Sequence, residues 1–371
     1  MEAAQQKAVA VYPSLEAGRM QVQQGQQLST IPASHPKANL FISGEEFDFA
    51  DNRGIQSLVI QQNFNLPKTT KVLRQFYSAQ TQVAQAQLAL SEREINGAVA
   101  MAYFDLLYYQ QKQTIIQRQA TLYQDFEQLS QQLFKAGETG KIPLMTAQSK
   151  RQATDLSIQQ ATADYQIMLR QFNRWMLSDT LFAPSEVTLP PPEESATIDI
   201  EQHPQLQVLQ QREQLAAAQV AVIKSQNNPQ LNTGFRLQTV NGQFPFYGFQ
   251  LGVNLPLFTK ATQRKAEAAT LNIAINKAQS TATRLQLENN YQQLSLQMKR
   301  QQETMQTLQG ILIPQAEEQQ QVLLEAFQQG EATYFEYVQR IELLIKYRFQ
   351  YLDALYQYHF ANNQMRYLLV D

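Results

Sequence analysis

Four short landmarks occur twice in this chain, in the same order, and any fold has to accommodate that duplication. YPSL at Tyr12–Leu15 returns as HPQL at His203–Leu206, with Pro13 and Pro204 191 residues apart. HPKANLFISG from His35 returns as NPQLNTGFRL from Asn228, and Pro36 and Pro229 are 193 apart. FNLPKTTKVLRQ from Phe64 returns as VNLPLFTKATQR from Val253, with an offset of 189 between Pro67 and Pro256. FKAG at Phe134–Gly137 returns as FQQG at Phe327–Gly330, again offset by 193. One such match is weak, but four with agreeing offsets define two structural repeats. They are expected at 1–183 and 200–371, joined by the Pro-rich acidic segment PSEVTLPPPEESATID at 184–199.

Each repeat predicts a helix, two strands, a long helix, a tight turn and a returning helix. The first repeat places strands over Asn39–Glu46 and Ser57–Leu66, the second over Leu231–Val240 and Phe246–Leu255. Within Tyr247–Leu255, Tyr247, Phe249, Leu251, Val253 and Leu255 share one parity, and Gly248, Gln250, Gly252 and Asn254 the other. Leu58, Ile60, Phe64 and Leu66 alternate in the same way with Gln61, Asn63 and Asn65. Strict alternation marks a strand with one apolar and one polar face. The strands also have about the ~10 residues that a tilted membrane-crossing strand needs.

Helical sequence follows each strand pair directly. Little Pro or Gly interrupts Pro67 to Phe134, so this segment predicts a helix on the order of 100 Å long. Its counterpart runs from near Pro256 towards Phe327, with Gly310 and Pro314 as the expected kink. Leu287, Tyr291, Leu294, Met298, Met305, Leu308 and Leu312 follow the 4-3-4-7-3-4 spacing of a coiled-coil seam, with Gln301 in one slot. Val338, Ile341, Ile345, Leu352 and Leu355 continue a compatible pattern on the return helix.

Composition excludes several classes. Thirty basic and 32 acidic residues give a net charge of −2, which offers no footprint for nucleic acid. There is no Cys, so disulfides, thiolate metal sites and thiol nucleophiles are absent. No apolar run reaches the length of a membrane-spanning helix; the nearest, INGAVAMAYFDLLYY, is short and holds Asp105. The N-terminal MEAAQQKAVAVYPSL lacks the basic start and apolar core of a signal peptide, which points to a leader removed or a longer parent chain. No Ser/His/Asp set, phosphate loop, metal cluster or paired-carboxylate arrangement stands out, so no enzyme is expected.

A strand with one greasy and one polar face can line a barrel with lipid outside and water inside. Four strands cannot close one, since about eight is the practical minimum, and open edges are forbidden in hydrocarbon. Three chains would supply twelve strands, and the barrel would continue into a helical tube. At this point the residues resemble the TolC-type outer-membrane efflux proteins. The resemblance rests on the duplication, NPQL before the strands, LGVNLPLF at the strand-to-helix junction, and IPQAEEQQQVLLEAFQQGEATYFEYVQRIELL near the end. It covers nearly the whole chain and is closest to the branch that serves heavy-metal pumps, some of whose members are fused behind the pump. It implies a mainly α fold with a small β part. The assembly would be a homotrimer with a twelve-stranded outer-membrane barrel, continuing as an α-helical barrel in the periplasm. The implied partners are outer-membrane lipid, a periplasmic adaptor and an inner-membrane pump of the resistance-nodulation-division type. The competing readings are a periplasmic adaptor, which carries one hairpin rather than two, and a soluble coiled-coil scaffold, which needs no alternating strands.

Candidate site residues follow from these two layers. Asn63, Asn65, Arg236, Gln238, Gln250 and Asn254 share the polar parity and are expected to line the pore. Gly137 and Gly330 are expected to be left-handed caps at the helix reversals. The resemblance further implies that the loops around them dock the partner, through Phe134, Gly137, Glu138, Lys141, Phe327, Gly330 and Glu331. His35, His203 and His359 are not at ligand spacing and are expected to be structural or solvated. Met298 and Met305 fall in the seam and are expected in the core. The aromatic C-terminal segment (Tyr347, Phe349, Tyr351, Tyr356, Tyr358, Phe360) is expected to pack between helices. No cofactor is expected.

Overall fold

A computed structural model of the chain describes residues 1–31, 36–48, 53–178, 180–192, 199–257 and 259–367. The first half runs α1 (Glu2–Val11), α2 (Pro13–Leu28), β1 (Asn39–Asp48), β2 (Arg53–Asn65), α3 (Pro67–Ala136) and α4 (Lys141–Asn173). The second runs α5 (Pro204–Ser225), β3 (Gln230–Val240), β4 (Gln243–Asn254), α6 (Lys260–Thr307), α7 (Ile313–Gln328) and α8 (Tyr334–Tyr367). Both halves thus follow one order: helix, strand pair, long helix, reversal, helix. Two compact units cut across this order and draw on both halves. One comprises Glu16–Leu90 and Glu201–Arg284 and contains all four strands. The other comprises Met1–Leu15, Ser91–Ile200 and Leu285–Asp371 and is helical.

In the first unit the strands form one antiparallel sheet in the order β1-β2-β3-β4. They are longer than the alternation alone indicates. β4 begins at Gln243 because Asn241 and Gly242 make a two-residue reversal with positive φ at both positions, 47° and 80°. Asn-Gly is the strongest short-range hairpin signal, since its backbone twist matches that of the flanking strands. The Asn241 side chain also accepts from the Gly54 amide at 3.2 Å, tying this turn to the start of β2.

In the helical unit the seam residues lie where their spacing put them. Leu287, Met298, Met305 and Leu308 are buried and Tyr291, Leu294 and Leu312 half-buried, and Val338, Ile341, Ile345, Leu352 and Leu355 on α8 are buried. A core cluster joins Tyr123 and Phe126 of α3, Ala147 of α4, Phe327 of α7 and Tyr337, Val338, Ile341 and Ile345 of α8. The Phe126, Phe327 and Tyr337 rings meet with centroids 5.5–6.1 Å apart, a spacing at which aromatic pairs attract beyond their buried area. The predicted kink near Gly310 and Pro314 takes the form of one π-turn, Leu308–Leu312, in which the Ile313 amide donates to the Leu308 carbonyl. Proline has no N–H to give Gly310 and its ring crowds that carbonyl; widening the turn relieves both.

The Pro-rich linker packs against the helical unit over its described part. Leu189 is buried, its amide donates to Gln111 at 3.1 Å, and Glu186 accepts from Tyr103. Residues 193–198 of the linker lie outside the described residues.

Candidate channel wall and helix reversals

Strand register decides which side chains share a face. Tyr247, Phe249, Leu251 and Val253 of β4 lie opposite Leu237, Phe235, Thr233 and Leu231 of β3. These in turn lie opposite Leu58, Ile60, Gln62 and Phe64 of β2. Leu40 and Ile42 of β1 extend the first two rows. One face of the sheet is therefore almost wholly apolar. It is also bare: Phe249 is 91% exposed, Ile42 84% and Leu251 76%. Phe235 meets Phe249 edge-to-face at 5.6 Å, a cross-strand pair that helps hold the register.

The other face carries the amides. Asn232 donates to Asn63 at 2.7 Å, Asn254 to the same oxygen at 3.4 Å, and Gln230 to Asn65 at 3.2 Å. Gln250 lies opposite Gly234 and Gln61, Arg236 opposite Gly248 and Val59, and Gln238 opposite Ser57. All six predicted wall residues share this face. The structure adds Gln230, Asn232, Ser43 and Ser57, with the two serine hydroxyls 2.8 Å apart; the same parity could have named them. The amide rows gather where β2 and β4 lead into helices. Towards the Asn241–Gly242 turn the polarity weakens, with Phe41 beside Val59 and Phe246 opposite Gln238.

The two helix reversals, both in the helical unit, are built alike. Gly137 and Gly330 have φ of 77° and 76°. At the first, the Gly137 amide donates to Phe134 O and the Glu138 amide to Leu133 O. At the second, the Gly330 amide donates to Phe327 O and the Glu331 amide to Ala326 O. These paired bonds are the Schellman termination, in which a left-handed residue lets the last carbonyls be satisfied. The helices that follow start differently. α8 has a reciprocal capping box: the Thr333 amide donates to Glu336 at 2.8 Å and the Glu336 amide to the Thr333 hydroxyl at 3.3 Å. The sequence signal Thr333-x-x-Glu336 was there to be read. α4 follows Gly140, which as N-cap offers no side-chain hydrogen bond.

The reversal residues separate into two groups. Glu138, Lys141 and Glu331 are exposed, as is Phe134 at 40%. Phe327 is not: it is 4% exposed, within the aromatic core. That corrects the expectation of Phe327 as a contact residue; its ring holds α7 to α3 and α8 from inside.

Among the described residues no group of His, Asp and Glu could hold a metal. His203 caps α5, its Nδ1 accepting from the Gln205 amide at 3.3 Å. His359 stacks on Phe104 at 4.8 Å, with Nε2 2.8 Å from the Pro190 carbonyl. His35 lies outside the described residues. Among the described residues no helix is long and apolar enough to cross a membrane.

Comparison with known proteins bears on this geometry. Residues 199–369 match the family described as Outer membrane efflux protein. No curated protein matches the chain. Among solved structures, the outer-membrane channel OprN is 13% identical with a TM-score of 0.78, covering 99% of this chain and 89% of its own. The outer membrane protein VceC from Vibrio cholerae is 13% identical with a TM-score of 0.77, covering 98% of this chain and 94% of its own. CusC is 14% identical with a TM-score of 0.74, covering 98% and 90%. The TM-score to CusC is no greater than to the other two, so the fold singles out no branch. The chain has the fold of these solved outer-membrane channels, and residues 199–369 are similar to the family described as Outer membrane efflux protein.

Proposed function

We propose that this chain is the outer-membrane channel of a tripartite efflux system, a passive exit duct for substrates delivered by an inner-membrane pump through a periplasmic adaptor. The observation that carries the reading is the sheet. Its register puts leucine, isoleucine and phenylalanine on one bare face and asparagine and glutamine on the other. β1 and β4 each have one strand neighbour. A bare apolar face of this size has no place in water, and unpaired edges have none in lipid. Closure by two further copies satisfies both, giving twelve strands in the outer membrane and helices reaching into the periplasm.

In that assembly Asn63, Asn65, Arg236, Gln238, Gln250 and Asn254 line a water-filled lumen, which calls for a hydrated wall rather than a binding site. Phe134, Glu138, Lys141 and Glu331 form the adaptor-facing surface, shaped by Gly137 and Gly330. The shared order of elements supports a tandem repeat at 1–183 and 200–371. Heavy-metal cations are the proposed cargo on the strength of the sequence resemblance alone.

The test is reconstitution. Purified protein in lipid vesicles should form trimers and release a small entrapped dye. A stable, detergent-free monomer with native strand content would overturn the reading.

A further inference from the structure

A single charge interrupts the polar face of the sheet. From the row of Asn65 and Gln230 out to the row of Ser43 and Ser57, the described residues of that face are amides, hydroxyls, glycines and a few apolar groups. Arg236 is the one ionisable side chain among them. The nearest described carboxylate on this face, Glu45, stands two strands away and two rows nearer the Asn241–Gly242 turn.

Nothing across the strands compensates this charge. Arg236 lies opposite Gly248 of β4 and Val59 of β2. A carboxylate in either place would pair with it and steady the sheet, whereas glycine and valine leave it open. Gly248 also leaves space, since a Cβ there would meet only the Arg236 Cβ, at 3.5 Å. Arg236 is exposed, and a guanidinium keeps its charge at any pH a cell surface meets.

We propose that Arg236 is the charge filter of the duct: in a three-copy barrel it sets a positive ring into an otherwise neutral stretch of wall, drawing anionic solutes in and repelling cations. The proposal rests on the channel reading above. Rings of fixed side-chain charge select ions in pores in this way. Screening sets the reach of the ring. The Debye length is about 30 Å at 0.01 M salt and about 3 Å at 1 M, so the ring acts across the lumen in dilute solution and only beside its own side chains in strong salt. The solutes it favours are organic molecules bearing a carboxylate or phosphate. A bare metal cation, the cargo suggested by the sequence resemblance, is opposed at this level of the wall.

The sequence has no Cys, so one reporter thiol can be read without background. Gln250 is the diagonal cross-strand neighbour of Arg236, a relation that sets residues about 7–8 Å apart. Gln250→Cys protein in lipid vesicles is treated with a sulfonate-bearing or a trimethylammonium-bearing methanethiosulfonate, and the two rates are compared. At 0.01 M salt, adding Arg236→Gln should lower the anionic-to-cationic rate ratio about fivefold. Arg236→Lys should keep the original ratio, and Arg236→Glu should lower it further than Arg236→Gln. At 1 M salt the differences should shrink towards nothing. Reaction with both reagents at a ratio that Arg236→Gln leaves unchanged would overturn the filter while the channel reading stands. Equal loss in Arg236→Lys and Arg236→Gln would overturn charge as its basis. A Gln250→Cys thiol closed to both reagents, with a Leu251→Cys thiol open to them, would overturn the channel reading and the filter with it.

Discussion

The sheet and the helical body use the same residue types in opposite ways. Phe126, Leu106, Leu107 and Ile341 of the helical unit are fully buried, whereas Phe249, Ile42 and Leu251 of the sheet are almost fully exposed. Burying such a side chain gains about 1.5–3 kcal/mol in water, and a chain folding for water would collect that gain in both places. The helical unit takes it inside the protomer. The sheet leaves it to the surroundings, as the proposed lipid-facing wall would.

Identical chemistry should therefore produce different failures in the two regions. The largest effect belongs to the aromatic core. Phe126→Ala should destabilise the helical unit by about 3–5 kcal/mol, because Phe327 and Tyr337 lose their shared partner and a cavity remains. Chemical denaturation followed by helical circular dichroism measures it. A loss below about 1 kcal/mol would mean that the cluster does not hold the reversals together. The sheet comes next. Phe249→Arg or Leu251→Arg should cost roughly 2–4 kcal/mol of membrane stability near the midplane, with helical stability in solution unchanged. Gln250→Arg should be tolerated. Equal insertion of all three would dissolve the comparison.

Much of this contrast was legible in the residues, and the reason is geometric. A strand has period two, so Tyr247–Asn254 states its own faces, and the equivalent positions of the other strands inherit them through register. The duplicated prolines and glycines mark where elements change, because those residues restrict or permit backbone angles locally. What was not legible depended on tertiary placement. Phe134 and Phe327 occupy equivalent landmarks, yet one is exposed and the other buried, since only the second is covered by Phe126 and Tyr337. The π-turn could be anticipated as an irregularity from Gly310 and Pro314, but its hydrogen bonding could not. Leu189 reads as linker and is buried because the helices offer it a surface.

The reversals sharpen the comparison at smaller energy. Gly330→Val forces a β-branched residue into a left-handed conformation, at roughly 1–2 kcal/mol, and reshapes the loop. Export should fall while trimers and membrane insertion stay normal, and Glu331→Lys should act in the same direction. An efflux assay run beside trimer quantification checks this. Intact export, or export lost only with the trimer, would remove the docking assignment.

The smallest effect concerns a carboxylate within the helical unit. Burial pushes the Asp105 carboxyl above its ordinary range, against the hydrogen bond from Tyr356, which lowers it. A raised carboxyl favours the folded state below the unfolded value, and this contribution is lost as pH rises through the folded value. Asp105→Asn keeps an acceptor for Tyr356 and removes the charge. It should slightly stabilise the helical unit at neutral pH and make no difference in acid. Destabilisation at neutral pH would show that the ionised pair is needed.

The central claim is that one face of the sheet meets lipid and the other meets water. Single cysteines placed along β4 from Tyr247 to Asn254, spin-labelled in reconstituted membranes, report it residue by residue. Tyr247, Phe249, Leu251 and Val253 should be open to oxygen dissolved in the bilayer. Gly248, Gln250, Gly252 and Asn254 should be open to a water-soluble relaxant. An oscillation of period two with that phase is the predicted result; a flat profile, or the opposite phase, would contradict it.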